Sequence, residues 1–362
     1  MGDYGRENTW IDKGLKYRYI IMQVKELIKY RRIWMILAMF WIILFHSGIT
    51  INSAIFDYIR TIGYGGVDVF LFASGVGCYH SFQNNPNALN FIKRRMNKIL
   101  PTFYLFLVVW LIYNHVSDIP TVIGNFFCVQ SFTGGLEVNW YMTAMWIMYF
   151  LTPYLYGVIQ YIHSKYQFVL ICLILLIFTI PFWGNVHLII SITRIPIYFI
   201  GMYVASREEQ KITGKKLCVL FGMFLGGMFA LRYCYQYHSD LLWTYGLHWY
   251  PFILSTPFMC FACSWACGHL DRIKIGKTIV SGLDFLGKYT FELFLVHIFV
   301  FQIRLDLWNK GLIHAGIMLH IGTIIGIVLG VMFLNLSVKG LKTLVHNCFL
   351  RRKAGLQEGN NT

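Results

Sequence analysis

Charged side chains are scarce in this sequence. They make up 13% of its 362 residues, while 57% are hydrophobic. A soluble domain usually carries about 25% charged residues, roughly twice as many. Apolar runs of about 20 residues recur along the chain, and a helix needs that length to cross a hydrocarbon layer of ~30 Å. The composition excludes an ordinary soluble domain and predicts an integral membrane protein.

Other signals are lacking too. The alternating segments of outer-membrane β-barrels are not seen. The first apolar run follows a long basic segment and has no small-residue cleavage site, so we expect a retained first helix and no removed signal peptide.

Nine cysteines are scattered along the chain. Cys260, Cys263 and Cys267 lie in one apolar segment with no second ligand cluster, which favours packing over metal binding.

The apolar runs predict an all-α, polytopic membrane helix bundle. We expect a basic cytoplasmic segment over 1–32, a transmembrane domain over 33–340 and a short cytoplasmic tail over 341–362. The mixed apolar and basic residues of the first segment fit a helix on an anionic membrane surface or a solvated lead-in. About ten spans are predicted, at Ile33–Ile51, Ile62–Phe82, Ile99–Asn114, Val138–Ile159, Phe168–Trp183, Leu188–Ala205, Leu217–Tyr235, Tyr250–Gly268, Leu283–Phe301 and Ala315–Val338.

Acidic residues are half as frequent as basic ones, which gives a net charge of +15. With the N-terminus placed in the cytoplasm, most lysines and arginines fall on the inner side, as the positive-inside rule requires. The exceptions are the predicted outer residues Arg60, Arg232, Arg304 and Lys310, and the span residues Arg194 and Lys288. Both termini are therefore predicted to be cytoplasmic. Topology accounts for the charge, and no nucleic-acid partner is needed.

Ionisable side chains inside apolar spans are the strongest functional signal, because burying them in a membrane is costly. His46 lies in the first predicted span, and the glycine-rich second span carries Asp68 and Ser74. The imidazole could act in catalysis, with Asp68 orienting it. The alternatives are an interhelical hydrogen bond for His46 and a packing role for Ser74. The glycines of 63–77 predict a close approach between helices.

Further polar residues extend this set. Arg194 in the sixth span needs a buried partner, for which Asp68 and Glu292 are the candidates. Glu292 and His297 share the ninth span, five residues apart. Trp140 and Tyr141 open the fourth span, as part of an aromatic belt or of a substrate cavity.

A cluster of four cations precedes the third span. Arg94 and Arg95 lie within Lys93–Lys98. The cluster fits a stop-transfer signal, or an anion clamp in which guanidinium groups bind phosphate bidentately.

Taken in order, these features resemble the acyltransferase-3 family of bacterial membrane proteins, which includes enzymes that O-acetylate cell-surface polysaccharides. The resemblance spans Arg31 to Val338. It rests on Phe45-His46, the Gly-Gly-Val-Asp-Val-Phe-Leu-Phe-Ala-Ser-Gly run at 65–75, Arg94-Arg95 through Pro101, Trp140-Tyr141 with Tyr149 and Pro153, the Arg194–Gly201 segment, and Tyr289 with His297.

The resemblance implies ten helices, an acyl-CoA donor bound from the cytoplasmic side, and a first-span histidine that is essential to transfer. It makes His46 the base or a transient acyl carrier, assigns the donor's phosphates to Arg94 and Arg95, and places Asp68 and Ser74 at the central site. One feature departs from the family. An arginine usually lies eleven residues before the histidine, where this chain has Met35. The candidates to replace it are Arg31 and Arg32.

We therefore expect a multi-pass O-acyltransferase of the plasma (inner) membrane of a bacterium. It would move an acyl group, most simply acetyl, from acyl-CoA to a hydroxyl of a cell-surface carbohydrate. Acetyl-CoA is a co-substrate, and no permanently bound cofactor is expected. The partners are this donor, a hydroxyl acceptor and the lipid bilayer. The sequence leaves polysaccharide, peptidoglycan, a lipid-linked sugar and a small metabolite open as acceptors.

Two other classes of function compete with this one. Buried Asp, Arg, Glu and His residues also suit a transporter, although the chain lacks the matched broken segments of an inverted repeat. A non-catalytic scaffold would leave the charged intramembrane residues unexplained.

Overall fold

Helices make up most of the computed structural model, which describes residues 20–133, 140–238, 241–314 and 316–359. Predictions for residues 1–19, for Val138 and Ala315 at span ends, and for the end of the C-terminal tail lie outside these ranges. The described chain forms two compact units, one from Met1–Ile92 and Cys128–Lys288, the other from Lys93–Phe127 and Tyr289–Thr362.

The first unit contains most of the helices. Its strands are β1 (Ile20–Gln23) and β2 (Lys211–Thr213). Its early helices are α1 (Val24–Lys29), α2 (Arg31–Ser47), α3 (Ala54–Thr61) and α4 (Gly66–Gln83), with the short 3₁₀ helix Gly63–Gly65 between α3 and α4. The next helix, α5 (Ala88–Tyr113), begins in this unit and continues in the second, which also holds α6 (Ile119–Phe126).

The remaining helices of the first unit are α7 (Gln130–Thr133), α8 (Trp140–Gln160), α9 (Lys165–Ile177), α10 (Val186–Ile192), α11 (Ile195–Ala205), α12 (Gly214–Tyr237), α13 (Leu241–Tyr245), α14 (Tyr250–Leu270) and α15 (Lys274–Leu286), with a 3₁₀ helix at Ile180–Phe182. The 3₁₀ helix Gly287–Tyr289 follows α15. The second unit is completed by α16 (Thr290–Asn309) and α17 (Ile317–Gly359).

Seven described segments are long and apolar enough to cross a membrane, and an eighth is added if the bent pair Ala54–Thr61 and Gly63–Gln83 is one span. The first and ninth predicted spans correspond to α2, of 17 residues, and α16, of 20 residues, which are not among these segments. The chain is a multi-pass helical protein, and the count of ten and the orientation of the termini stay predictions.

The predicted all-α class is confirmed, and two local features add to it. The short strands β1 and β2 pair in an antiparallel ladder, with Gln23 opposite Lys211. The ladder supplies partners for backbone groups that no helix satisfies. In addition, α5 begins at Ala88, well before the predicted span start at Ile99. Lys93–Lys98 therefore lie on the helix itself, and not in a loop before it.

A close crossing of α4 and α11 organises the first unit. A Cβ added to Gly75 would lie 2.2 Å from the Tyr198 carbonyl oxygen, and one added to Gly201 would lie 2.2 Å from that of Phe72. The helices thus meet backbone to backbone, as small residues allow in membrane interfaces. The predicted close approach at the glycine-rich segment is confirmed.

The crossing also aligns two charged residues. Asp68 precedes Gly75 by seven residues, and Arg194 precedes Gly201 by seven residues. Seven residues are nearly two helical turns, so each charged residue shares a face with its glycine. Because the two helices run in the same direction at the crossing, the two side chains meet.

Gly75→Val should destabilise the protein, because the added carbon atoms would press on a backbone carbonyl that cannot move aside. Overpacking typically costs about 1–3 kcal/mol. The measurement is the thermal unfolding midpoint of the purified full chain in detergent.

Gly157→Val is the matched control, since a Cβ there meets nothing within 4 Å and the residue also lies in an apolar helix. Equal midpoints for the two variants would contradict the close crossing.

Candidate active site

A buried ion pair lies at the centre of the first unit. The Nε of Arg194 is 3.4 Å from Oδ1 of Asp68, and the side chains are 1% and 0% exposed. Asp68 is in the first turn of α4, and Arg194 immediately precedes α11. The guanidinium also donates a hydrogen bond to the carbonyl of Ile190. Of the two partners that the sequence allowed for Arg194, the structure shows Asp68.

Two indole rings enclose the arginine. The guanidinium carbon lies 4.9 Å from the ring centroid of Trp140 and 4.9 Å from that of Trp249. A cation over an indole face is attracted by the ring quadrupole, more strongly when water is excluded. Trp140, which the sequence left between an aromatic belt and a cavity, thus contacts the buried charge. Tyr141 follows it and shares a side-chain hydrogen bond with the half-buried Ser74.

A second polar group lies beside the indoles. The His248 ring is 5.9 Å from Tyr64 and 6.0 Å from Tyr235, centroid to centroid, and the two tyrosine hydroxyl oxygens are 3.3 Å apart. Burial and the nearby charge of Arg194 lower the pKa of His248 to about 4. The imidazole is therefore neutral at physiological pH.

The sequence analysis missed Tyr64, Tyr235, His248 and Trp249. His248-Trp249 directly precedes the eighth predicted span, and this juxtaposition was the available signal. Only the fold shows that these residues meet Arg194.

His46 lies at the accessible edge of this group. It is exposed, in the last turn of α2, which ends at Gly48 with φ of 66°. Its Nδ1 is 3.1 Å from the carbonyl oxygen of Ile42. A carbonyl only accepts, so Nδ1 carries the hydrogen and Nε2 keeps its lone pair. Nε2 can therefore act as a base or a nucleophile.

Aromatic rings connect His46 to the buried residues. Phe45 lies 4.8 Å from the His46 ring and 5.6 Å from Tyr64, both with edge-to-face geometry. We call this group of eight residues the aromatic cluster. Its members are His46, Tyr64, Asp68, Trp140, Arg194, Tyr235, His248 and Trp249. The structure pairs the Asp68 carboxylate with Arg194. The predicted role of Asp68 in orienting His46 stays a prediction.

Arg31 and Arg32 lie at the other end of α2. His46 is fifteen residues after Arg31, about 22 Å away at 1.5 Å per residue. The Arg31 guanidinium lies directly against Gly77 of α4, where a Cβ would collide with it. The Nε of Arg32 donates to Asp284 at 2.8 Å. The two candidates for the missing family arginine thus have different surroundings, and Met35 is half-buried.

A polar network surrounds the same end of the unit. The Tyr30 hydroxyl donates to Asp271 at 2.8 Å, and Lys29 Nζ lies 3.2 Å from the same carboxylate. These hydrogen bonds lower the pKa of Asp271, that of Tyr30 having the larger effect. Nearby, Cys267 packs with Tyr30 and other apolar residues as a free thiol. No metal-binding group of His, Cys, Asp or Glu is found in the described part of the chain.

The remaining predicted site residues belong to the second unit. Arg94 is exposed and Arg95 half-buried on the early turns of α5. Glu292 shares a side-chain hydrogen bond with Asn335. His297 is 0% exposed, and its Nδ1 lies 3.0 Å from the Leu293 carbonyl oxygen. Glu292 and His297 therefore have separate neighbours.

Asp68→Asn should lower the free energy of unfolding by about 3–5 kcal/mol, because it leaves the Arg194 charge buried without its counter-charge. The double variant Asp68→Asn/Arg194→Gln removes both charges and should recover part of that loss. Denaturant unfolding of the wild type, both single variants and the double variant in detergent measures the coupling. Simple additivity of the two single effects would show that the pair is not coupled.

A comparison with protein-family models identifies the family of the chain. A family model described as an acyltransferase domain, that of the acyltransferase-3 family, matches residues 35–335. Searches of curated proteins and of solved structures found no match. The matched range covers most of the chain and contains all eight residues of the aromatic cluster. The chain belongs to the acyltransferase-3 family of membrane acyltransferases.

Proposed function

We propose that this protein transfers an acyl group, most simply acetyl, from cytoplasmic acyl-CoA to a hydroxyl of a cell-surface carbohydrate. The observation that carries the proposal is the state of His46. Its ring is exposed at a helix end, and its Nδ1–H donates to Ile42, so Nε2 is the basic nitrogen. Family membership supports the reaction class.

In this reaction Nε2 of His46 takes the proton of the acceptor hydroxyl as the oxygen attacks the thioester carbonyl. The carbon–sulfur bond then breaks, and the thiolate of coenzyme A receives the proton from the imidazolium. The products are an ester and the free thiol. General-base help of this kind contributes typically 10²–10⁴-fold to the rate.

A two-step variant uses the same nitrogen as the nucleophile. Nε2 attacks the thioester carbonyl, the carbon–sulfur bond breaks and the thiolate leaves, which gives an acyl-imidazolium. The acceptor oxygen then attacks the acyl carbon, the carbon–nitrogen bond breaks, and the hydroxyl proton goes to water, which balances the thiolate released in the first step. This route suits a donor and an acceptor that reach the site in turn. The acceptor's hydroxyl groups would meet the half-buried phenols of Tyr64 and Tyr235. Phe45 lies between Tyr64 and His46, and Tyr235 contacts Tyr64 through its hydroxyl.

The donor's phosphates would bind arginines. Guanidinium groups bind phosphate in a bidentate manner, and Arg94, Arg95 and Arg31 are the candidates. The Arg32 guanidinium already pairs with Asp284, which favours a structural role for it. Between Arg31 and His46, α2 spans about 22 Å, a distance that the extended thiol arm of coenzyme A would have to bridge.

His46→Ala should reduce acyl transfer by at least about 10²-fold, because it removes the basic nitrogen. Surface glycans of cells that carry each variant are compared by mass spectrometry, and membrane levels of the protein are matched. The control is His163→Ala, at an exposed histidine outside the aromatic cluster. Full transfer by a folded His46→Ala protein would refute the proposal. Solute counterflow without acyl-CoA would favour a transporter.

Arg31→Gln, Arg94→Gln and Arg95→Gln should each weaken acyl-CoA binding by about tenfold or more, because a hydrogen bond between charged groups is lost. Arg32→Gln should mainly lower stability, and Asp284→Asn should reproduce its effect. Binding to the purified protein and the thermal midpoint are measured together. If Arg32→Gln weakens binding and Asp284→Asn does not, Arg32 is the donor-binding residue.

A further inference from the structure

The second unit contains a large apolar groove that the acyl-transfer reaction does not use. Its volume is about 730 Å³, within the 300–1,000 Å³ typical of ligand sites, and it lies among α5, α16 and α17. Most lining residues are apolar, for example Phe106, Phe299 and Phe333. The polar side chains that line it are Arg304, His314 and Thr323. Such a lining suits a hydrocarbon chain.

Three glycines of α17 show how the groove forms. A Cβ on Gly330 would lie 2.7 Å from Cγ1 of Val296, and one on Gly326 would lie 3.3 Å from Cγ1 of Val300. A Cβ on Gly322 would meet nothing within 4 Å. The helices α16 and α17 are thus close at Gly330 and diverge towards Gly322. The groove is therefore widest near the C-terminal end of α16 and the N-terminal end of α17.

The length of the groove limits its occupant. Lining residues of α17 run from Met318 to Leu334, which is about 24 Å at 1.5 Å per residue. Half of a ~30 Å hydrocarbon core is about 15 Å. The tail of a common phospholipid spans about that half, and the α17 lining of this groove is longer than it. A longer tail matches it better.

Cationic and hydrogen-bonding groups lie at the open end. Arg304 is half-buried, and its guanidinium lies 5.6 Å from the Phe301 ring centroid. His314 is exposed on the loop before α17. The nearby carboxylate of Asp306 accepts a hydrogen bond from the Tyr113 hydroxyl at 2.7 Å. An arginine and an imidazole at the wide end of an apolar groove complement a phosphate group.

We propose that this groove binds a long-chain polyprenyl phosphate, with its tail between α16 and α17 and its phosphate at Arg304 and His314. The site goes beyond acyl transfer and does not depend on it. Its occupant is therefore tested by binding alone.

Native mass spectrometry of the full chain, released from detergent in the presence of a long-chain polyprenyl phosphate or of phosphatidylglycerol, tests the assignment. The polyprenyl phosphate should be retained in preference to phosphatidylglycerol. Gly322→Leu should abolish that preference, because its side chain fills the groove where the glycine leaves open space. Arg304→Gln should weaken polyprenyl phosphate binding by about tenfold or more.

Matched controls are Gly222→Leu and Lys310→Gln. Gly222 also meets nothing within 4 Å, in the apolar helix α12, and Lys310 is an exposed cation that does not line the groove. Both should bind like the wild type. Equal retention of the two lipids, or insensitivity to Gly322→Leu and Arg304→Gln, would overturn the proposal. His46→Ala should keep full lipid binding, so failure of the groove and failure of the transfer reaction can be told apart.

Discussion

The buried pair of Asp68 and Arg194 is the interaction on which the first unit depends. Two opposite charges with almost no exposure are tolerated only if each compensates the other. The backbone crossing at Gly75 and Gly201 fixes their separation, since each charge lies seven residues before its glycine. Two helix ends lie at the pair, since α8 begins at Trp140 and Trp249 directly precedes α14. The indoles of Trp140 and Trp249 cover the guanidinium.

The pair also organises the chemistry around it. Burial, together with the positive charge of Arg194, lowers the pKa of His248 and favours its neutral form. The ring of Tyr64 contacts both His248 and Phe45, and Phe45 contacts His46. A fixed cation in a water-poor site can stabilise negative charge that develops nearby during a reaction.

The sequence predicted the helical membrane architecture, the family and the pairing of Arg194 with one of two acids. The architecture and the pairing follow from composition, span length and the high cost of buried charge. The family follows from the resemblance of the ordered motifs. The choice of Asp68 over Glu292 needed the crossing geometry. His248 and the tyrosine pair were missed because burying a neutral polar residue costs little, so the sequence carries only a weak signal for them. The start of α5 at Ala88 was missed since basic residues continue a helix as readily as apolar ones.

The hydrogen bond from His46 to Ile42 has a further consequence for the proposed reaction. With Nδ1 committed to the helix backbone, the imidazole has a single nitrogen for chemistry. In the general-base route, the proton removed from the acceptor and the proton returned to the thiolate must both pass through that one atom. The acceptor oxygen and the thioester sulfur must then both come within reach of Nε2. Both substrates would contact Nε2 of His46, and no proton would enter at one ring nitrogen and leave from the other.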